Sequence, residues 1–129
     1  MAVPDAFRVL VVEDSAAFRT LVRELLRDEP ALPVVGEAPT GEDALALAPG
    51  LRPDVALVDL TLPGINGYET ARRLRALMPG LRVILMSAES DPIFGETATA
   101  SGAHGFIGKR ALRAPAILRL LNSPASAPH

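Results

Sequence analysis

Five short apolar runs, which alternate with longer segments of helical periodicity, constrain the fold of this chain more than any other feature. Most of the runs are continuous and rich in leucine or β-branched residues, a composition typical of parallel strands covered on both faces. They are FRVLVV (7–12), PVVGEA (33–38), DVALVD (54–59), RVILMS (82–87) and GFIG (105–108). Five strand–helix units in this order predict an α/β fold, with a doubly wound parallel sheet and helices on both faces.

Five helices are predicted between and after these runs. The first lies in SAAFRTLVRELLRDEP (15–30) and has five apolar residues at helical spacing, Phe18, Leu21, Val22, Leu25 and Leu26. The second covers GEDALALAPG (41–50), and Pro49 and Gly50 are predicted to end it. The third runs from about Gly67 to Met78, with Ala71, Leu74, Leu77 and Met78 predicted to face inward.

The fourth and fifth predicted helices are weaker. The fourth, SDPIFGETATASG (90–102), contains Gly95 and two threonines, and one interior glycine costs about 1 kcal/mol relative to alanine, so a short or mobile helix is expected. The fifth, RAPAILRLL (113–121), is brief.

Length and composition exclude several classes of protein. A chain of 129 residues fits one domain, with a core over about 7–121 and a tail, 122–129, expected to be disordered. A net charge of −2 argues against nucleic-acid binding by this chain alone, and the absence of cysteine excludes disulfides and thiolate metal sites. No apolar run approaches the length of a membrane span, and no signal-peptide pattern begins the chain, so we expect a cytoplasmic protein with no membrane partner.

Polar residues end four of the five predicted strands. They are Glu13 and Asp14 after the first strand, Asp59 at the third, Ser87 at the fourth and Lys109 after the fifth. Because ligands of open α/β sheets bind outside the carboxyl ends of the strands, we expect these side chains to converge on one edge.

Three acids, a hydroxyl and an amine form a set suited to a divalent cation and a phosphoryl group. Mg²⁺ prefers oxygen ligands from one or two carboxylates, which Asp14 and Asp59 can supply. A carboxylate can attack phosphorus to form an aspartyl-phosphate, while the metal, an ammonium and a hydroxyl neutralise the phosphoryl oxygens. This chemistry explains why the apolar run before Asp59 ends on an acid: Mg²⁺ and Lys109 would stabilise its charge.

Lys109 is the only lysine of the chain, and the other twelve basic residues are arginines. A compact ammonium on a flexible stem can approach a carboxylate and a phosphoryl group together, which a planar guanidinium does less easily. The presence of the single lysine at a strand end therefore indicates that the chemistry of the site requires an ammonium there.

The motifs VVED, VDLTLPGINGYE, MSAES and GFIGK, in this order and spacing, make the chain resemble the receiver domain of two-component response regulators from about Phe7 to Leu121. The resemblance implies the flavodoxin-like strand order 2-1-3-4-5. It also implies that Asp59 accepts a phosphoryl group from a sensor histidine kinase or phosphotransfer protein. Asp14 would ligate Mg²⁺ directly, Glu13 would act mainly through a water, and the Thr61 carbonyl would complete the protein ligands.

The resemblance further implies a two-state switch. Ser87 would move to bind the phosphoryl group, and Phe106 would turn inward, shifting the surface of the fourth predicted helix, the fifth strand and the fifth predicted helix. That surface would control a downstream protein target. Thr61 and Glu89 would tune a slow self-dephosphorylation, so the protein would store the phosphoryl group rather than turn over substrate. Whether the protein forms a homodimer is left open.

One departure from the commonest family pattern is Arg110, where many receivers have proline after the lysine. A cis peptide bond there is not expected, since cis bonds are nearly confined to X-Pro. Many receivers attached to helix-turn-helix DNA-binding domains also lack this proline, and VVGEAPTGEDAL (34–45) looks similar to theirs. The chain could thus be the receiver part of a larger DNA-binding transcription regulator.

Five of the site residues also have a purely structural interpretation, whereas Asp59 is harder to dismiss because it closes the apolar run. Asp14 could cap the first helix, and Glu13 could be a solvated loop acid. Ser87 could bond local backbone, Lys109 could be a surface lysine, and Phe106 could be only a core residue.

Three other functional classes fit the sequence less well. A flavin or nucleotide carrier of the same architecture needs a first loop that donates to phosphate, which Glu13 and Asp14 would repel. A phosphatase with an aspartate nucleophile commonly needs a second aspartate two residues on, where this chain has Thr61. A receiver-like binding module that takes no phosphate is disfavoured by the intact set of acids, Ser87 and Lys109.

Overall fold

One five-stranded parallel sheet forms the centre of the computed structural model, which describes residues 6–88 and 102–122. The strand order is β2-β1-β3-β4-β5, and every neighbouring pair is parallel. The strands are β1 (Val9–Val12), β2 (Val34–Ala38), β3 (Val55–Asp59), β4 (Arg82–Ser87) and β5 (Gly105–Gly108). The predicted sheet, its order and its direction are therefore confirmed.

Four α-helices connect or follow the strands in the described residues. They are α1 (Ala16–Leu26), α2 (Gly41–Leu51), α3 (Gly67–Leu77) and α4 (Ala114–Leu121), and a short 3₁₀ helix (Lys109–Ala111) follows β5. Helix α4 is the fifth predicted helix. The fourth predicted helix and the tail beyond 122 fall outside the described residues. Within the described ranges, no helix combines the length and apolarity needed to cross a membrane.

Alternate residues of each strand feed two separate cores, because successive side chains of a strand point to opposite faces. Leu10, Val58 and Leu85 lie in the core shared with α2 and α3. The core shared with α1 and α4 contains their sequence neighbours Val9, Leu57 and Ile84. Helices therefore cover both faces, as predicted, and the strand ends between the two layers are left for a site.

Three helices begin with a side-chain cap that the sequence places directly after a strand or loop. Ser15, Thr40 and Asn66 accept hydrogen bonds from the backbone N–H three residues further on, at 3.1, 3.0 and 2.9 Å. Each such cap contributes about 1 kcal/mol. The caps fix where α1, α2 and α3 leave the carboxyl edge of the sheet.

Three leucines from the apolar faces of the first and third predicted helices are exposed. Leu21 and Leu25 on α1 are 47% and 39% exposed, and Leu77 on α3 is 50% exposed. In α1 the buried residues are Val22 and Leu26. The stripe that reaches the sheet is therefore narrower than the apolar pattern, and the two leucines on its flank line an open groove beside Lys109 and Leu112.

The end of α2 was also predicted wrongly. The helix continues through Pro49 to Leu51, and Arg52 ends it in a left-handed conformation with φ 52°. The Arg8 guanidinium donates to the carbonyls of Leu51 and Arg52, at 2.8 and 3.3 Å. This tertiary cap satisfies the last carbonyls of the helix, so the stop signal at Pro49 does not decide the boundary.

Candidate functional site

The parallel register brings the predicted site residues to one edge of the sheet. Val12 pairs with Val58, Asp59 with Met86, and Ser87 with Gly108. Glu13, Asp59, Ser87 and Lys109 consequently stand at or one residue beyond the ends of four neighbouring strands. The expected convergence is confirmed.

Three carboxylates form the acidic part of the site. One oxygen from each of Glu13, Asp14 and Asp59 lies within 4.8 Å of the other two. Glu13 and Asp59 are 1% and 3% exposed, whereas Asp14 is exposed. The N-cap of α1 is Ser15, so the alternative that Asp14 caps this helix is wrong.

Glu13 is buried and its carboxylate accepts two hydrogen bonds, so the alternative that it is a solvated loop acid is wrong. Its carboxylate accepts from the Ser15 N–H at 3.0 Å and from Lys109 Nζ at 2.6 Å. Burial raises the pKa of the Glu13 carboxyl, and the neighbouring Asp59 charge raises it further, while the two hydrogen bonds lower it. The net shift is upward, because desolvation is the largest of these effects.

Lys109 links the acids of two strands. Its Nζ lies 2.6 Å from Glu13 Oε1 and 3.5 Å from Asp59 Oδ1, and its side chain is 20% exposed. We expected Lys109 to stabilise the charge of Asp59. Its contact with Asp59 is the longer of the two, because Lys109 also pairs with the buried Glu13. The peptide bonds of the described residues are all trans, including that between Lys109 and Arg110, which agrees with the expectation drawn from the missing proline.

The turn after β3 approaches Asp59 closely. The Thr61 N–H and hydroxyl lie 3.4 Å from Asp59 oxygens, within reach of weak hydrogen bonds. Gly64 has φ +75°, a conformation that favours glycine, and a side chain at Gly67 would collide with the Asp59 carbonyl. The two glycines of LPGING therefore allow the turn and the start of α3 to pack against the end of β3.

The predicted switch residues lie on neighbouring strands, β4 and β5. Ser87 ends β4 and is 7% exposed, and Phe106 is partly buried against the core shared with α2 and α3. Their coupled movement stays a prediction. Glu89 lies outside the described residues.

Two residues contact the site although we did not predict a role for them there. Phe18 stands with its ring centroid 4.4 Å from Lys109 Nζ, and Arg19 Nη1 donates to the Glu13 carbonyl at 2.7 Å. Phe18 was predicted only as one of the five apolar residues at helical spacing in the first helix. Its position four residues after Asp14, in the first turn of α1, is the signal that could have indicated proximity to the acids.

The donor set suits a hard divalent cation. Oxygen ligands from carboxylates, with positions open to solvent on the side of the exposed Asp14, match what Mg²⁺ requires. A flavin or nucleotide phosphate would instead meet three negative charges within 4.8 Å. The geometry therefore fits metal-assisted phosphoryl chemistry better than anion carriage.

Known response regulators are similar to this chain over most of its length. The family model of the response regulator receiver domain matches residues 9–121. The response regulator GacA of Pseudomonas aeruginosa is 42% identical over 105 residues, which cover 81% of this chain and 49% of that protein. The nitrate/nitrite response regulator NarL of Escherichia coli K12 is 38% identical over 101 residues, covering 78% and 47%.

Among solved structures, the receiver domain of the putative response regulator NarL from Mycobacterium tuberculosis superposes with a TM-score of 0.83. It is 35% identical, and the match covers 93% of this chain and 100% of that one. The receiver domain of Thermotoga maritima CheB, at 30% identity and a TM-score of 0.78, covers 92% of this chain and 99% of its own. The chain spans about half the length of the curated relatives it matches.

Proposed function

The chain belongs to the response regulator receiver domain family of two-component signalling, and from that premise we propose that Asp59 is its phosphoacceptor. The observation that carries the proposal is the position of Asp59. It ends the central strand β3, is 3% exposed, and stands beside both a lysine ammonium and two further carboxylates. These are the neighbours that a phosphoryl-accepting carboxylate requires.

In the proposed reaction an Asp59 carboxylate oxygen attacks the phosphorus of a phosphohistidine on a sensor kinase or phosphotransfer protein. The new O–P bond forms as the N–P bond breaks, and the departing imidazole keeps the electron pair and takes up a proton. Lys109 would then exchange part of its contact with Glu13 for the phosphoryl oxygens. Ser87, at the end of the next strand, would donate a hydroxyl to another of them.

The proposed metal site uses Asp14 and Asp59 as direct carboxylate ligands, Glu13 through a water and the carbonyl of Thr61. Bound Mg²⁺ supplies positive charge that reduces repulsion between Asp59 and the incoming phosphoryl oxygens. The clustering of three acids within 4.8 Å supports this assignment. The nearby Lys109 offsets part of the same negative charge.

We propose that the product is stored rather than turned over. At the position where aspartate-based phosphatases commonly carry an acid or base, Thr61 offers a hydroxyl, which lies 3.4 Å from both Asp59 oxygens. A hydroxyl is a poor general base near neutral pH. Thr61 and Glu89 would tune the rate at which water removes the phosphoryl group.

Signal output is proposed to follow from the coupled movement of Ser87 and Phe106. Ser87 binding the phosphoryl group would let Phe106 turn inward, which would reshape the surface around β5 and α4 and control a downstream protein. We propose that the protein is cytoplasmic and that residues from about 7 to 121 form the core of one receiver domain.

The experiment that tests the acceptor measures intact mass after incubation with acetyl phosphate, with and without Mg²⁺. Wild type is expected to gain one phosphoryl group only with Mg²⁺, and Asp59→Asn is expected to gain none. Asp54→Asn is the matched control: Asp54 directly precedes the same strand but lies at its opposite end, where it accepts from the Arg8 N–H at 2.8 Å. It should take up phosphate like wild type.

Uptake retained in Asp59→Asn would reject Asp59 as the acceptor. A rapidly hydrolysed product could hide uptake, so the same samples are also examined with beryllofluoride and Mg²⁺ by amide NMR. If neither phosphate uptake nor a beryllofluoride-dependent spectral change occurs in wild type, the proposal is wrong and the chain is a constitutive binding module.

A further inference from the structure

We infer that Phe18 is a positioning residue that holds the Lys109 ammonium at the acidic site. The inference rests on the proposed function, since the reaction it serves is phosphoryl transfer to Asp59. Its basis is the contact between an aromatic ring on α1 and the single lysine of the chain, which begins the 3₁₀ helix after β5.

Two carboxylates and one aromatic ring lie close to the Lys109 ammonium. Lys109 Nζ lies 2.6 Å from Glu13 and 3.5 Å from Asp59, and the Phe18 ring centroid lies 4.4 Å away. A cation within about 6 Å of an aromatic face is attracted by the negative potential of that face. Phe18 therefore attracts the ammonium, and the lysine side chain is only 20% exposed.

Phe18 is itself held in place. Its backbone N–H donates to the Ser15 hydroxyl at 3.1 Å, which fixes the first turn of α1. Its side chain packs against the core shared with α1 and α4. The position of the ring is thus restrained by packing, whereas the lysine side chain has four rotatable bonds.

A fixed ring matters because a free lysine would spend much of its time in solvent. The compact ammonium is strongly hydrated and its stem is flexible. An aliphatic side chain in place of Phe18 would attract the ammonium less, so Lys109 would contact the carboxylates for a smaller fraction of the time. Phe18 shifts that balance toward conformers in which Lys109 can reach phosphoryl oxygens on Asp59. The residue acts through Lys109.

The only other cation over an aromatic ring in the described residues provides a matched control. Arg82 lies 5.6 Å from the centroid of the Phe7 ring, at the opposite edge of the sheet. Phe7 is also partly buried and packs against the same core as Phe18. Phe7→Leu therefore repeats the loss of a ring in that core without touching the site.

The test exploits the single lysine. In protein labelled with ¹³C- and ¹⁵N-lysine, the side chain of Lys109 gives one set of signals without any metal present. The Phe18 ring should move its ε-methylene protons upfield of their position in unfolded protein. The displacement should disappear in Phe18→Leu, persist in Phe18→Tyr and be unchanged in Phe7→Leu. Phe18→Met replaces the leucine variant if that does not fold.

The second readout is the rate of acetyl phosphate uptake with Mg²⁺, followed by intact mass. Phe18→Leu or Phe18→Met should be slower by about two- to fivefold, with Phe18→Tyr and Phe7→Leu close to wild type. An undisplaced lysine signal in wild type would overturn the ring contact. A lost displacement with unchanged uptake would overturn the positioning role. Wild type that fails both the uptake and beryllofluoride tests would overturn the proposed function, with the ring contact still measured independently.

Discussion

Glu13 at the carboxyl edge of the sheet and Glu69 on α3 both accept hydrogen bonds from basic side chains, but their pKa values shift in opposite directions. Hydrogen bonds from Arg72 and Arg73 lower the pKa of Glu69 to about 2. Burial raises the pKa of Glu13, although Lys109 donates to it at 2.6 Å. A nearby cation therefore does not decide the direction by itself.

The difference lies in access to water. The Glu69 side chain is 29% exposed and its arginine partners stay hydrated, so its ionised form loses little solvation. The Glu13 side chain is 1% exposed and shares Lys109 with Asp59. At this site the cost of desolvating a carboxylate outweighs the attraction of one shared ammonium.

The two shifts predict opposite dependences of stability on pH. Between its ordinary and its raised pKa, Glu13 binds a proton in the folded state but not in the unfolded state, so its contribution to stability falls as pH rises through the raised pKa. Between 4.5 and about 2 the unfolded state binds the Glu69 proton instead. The stability from Glu69 is therefore present above 4.5 and is lost as pH falls through about 2.

Removing the shared cation should produce the largest change. Lys109→Met leaves Glu13 and Asp59 facing each other without compensation, and we expect the free energy of unfolding near neutral pH to fall by about 3 kcal/mol. Part of this loss should return in mild acid, where Glu13 becomes protonated. Urea denaturation at the two pH values measures both effects.

Lys109→Arg is the control for that change, since it keeps the charge. It should retain most of the stability, because a positive charge stays beside the two carboxylates. It should impair the response to phosphorylation, because a planar guanidinium approaches a carboxylate and a phosphoryl group together less easily than a compact ammonium. Equal stability of Lys109→Met and wild type near neutral pH would show that the buried acids do not need the lysine.

Removing the buried charge itself should have a smaller effect of the opposite sign. Glu13→Gln keeps a hydrogen-bond acceptor for Lys109 but eliminates a desolvated carboxylate, so we expect a gain of about 1 kcal/mol in the free energy of unfolding near neutral pH. The matched control is Glu37→Gln, which removes a carboxylate that pairs with Arg19 and Arg23 at 3.3 and 3.2 Å. It should lower stability slightly.

A loss of stability in Glu13→Gln comparable to that in Lys109→Met would contradict this account of Glu13. Carboxyl NMR of wild type offers a direct check, in which the Glu13 signal should titrate above the ordinary glutamate pKa of 4.5.

The smallest change is expected from the exposed cluster. Glu69→Gln should cause only a slight loss of thermal stability near neutral pH, because exposed ion pairs contribute little. The loss should shrink further at high salt, which screens such pairs, and vanish as pH falls through about 2. Melting curves at low and high salt measure it, and a salt-independent loss would show that the ion pairs with Arg72 and Arg73 are not its cause.

Much of the site was predictable because it depends on where strands end. Parallel strands bring their carboxyl ends together, so the acids after β1, the acid ending β3, the serine ending β4 and the lysine after β5 had to meet. The exposure of Leu21, Leu25 and Leu77 was not predictable from periodicity alone. A helical pattern indicates which residues share a face, but the width of the contact depends on how the helix sits on the sheet.

The order of strands and helices, their caps, and the residue types at the carboxyl edge were determined by the sequence, since each depends on neighbours a few positions away or on strand direction. The pairs of Glu69 with Arg72 and Arg73 belong to the same class, at separations of three and four residues. Only the tertiary structure decided that Lys109 contacts Glu13 more closely than Asp59, that the Phe18 ring lies close to Lys109, and that the Glu13 pKa rises. Glu13 and Lys109 are 96 residues apart, so their distance and burial are set by how the two helix layers pack on the sheet.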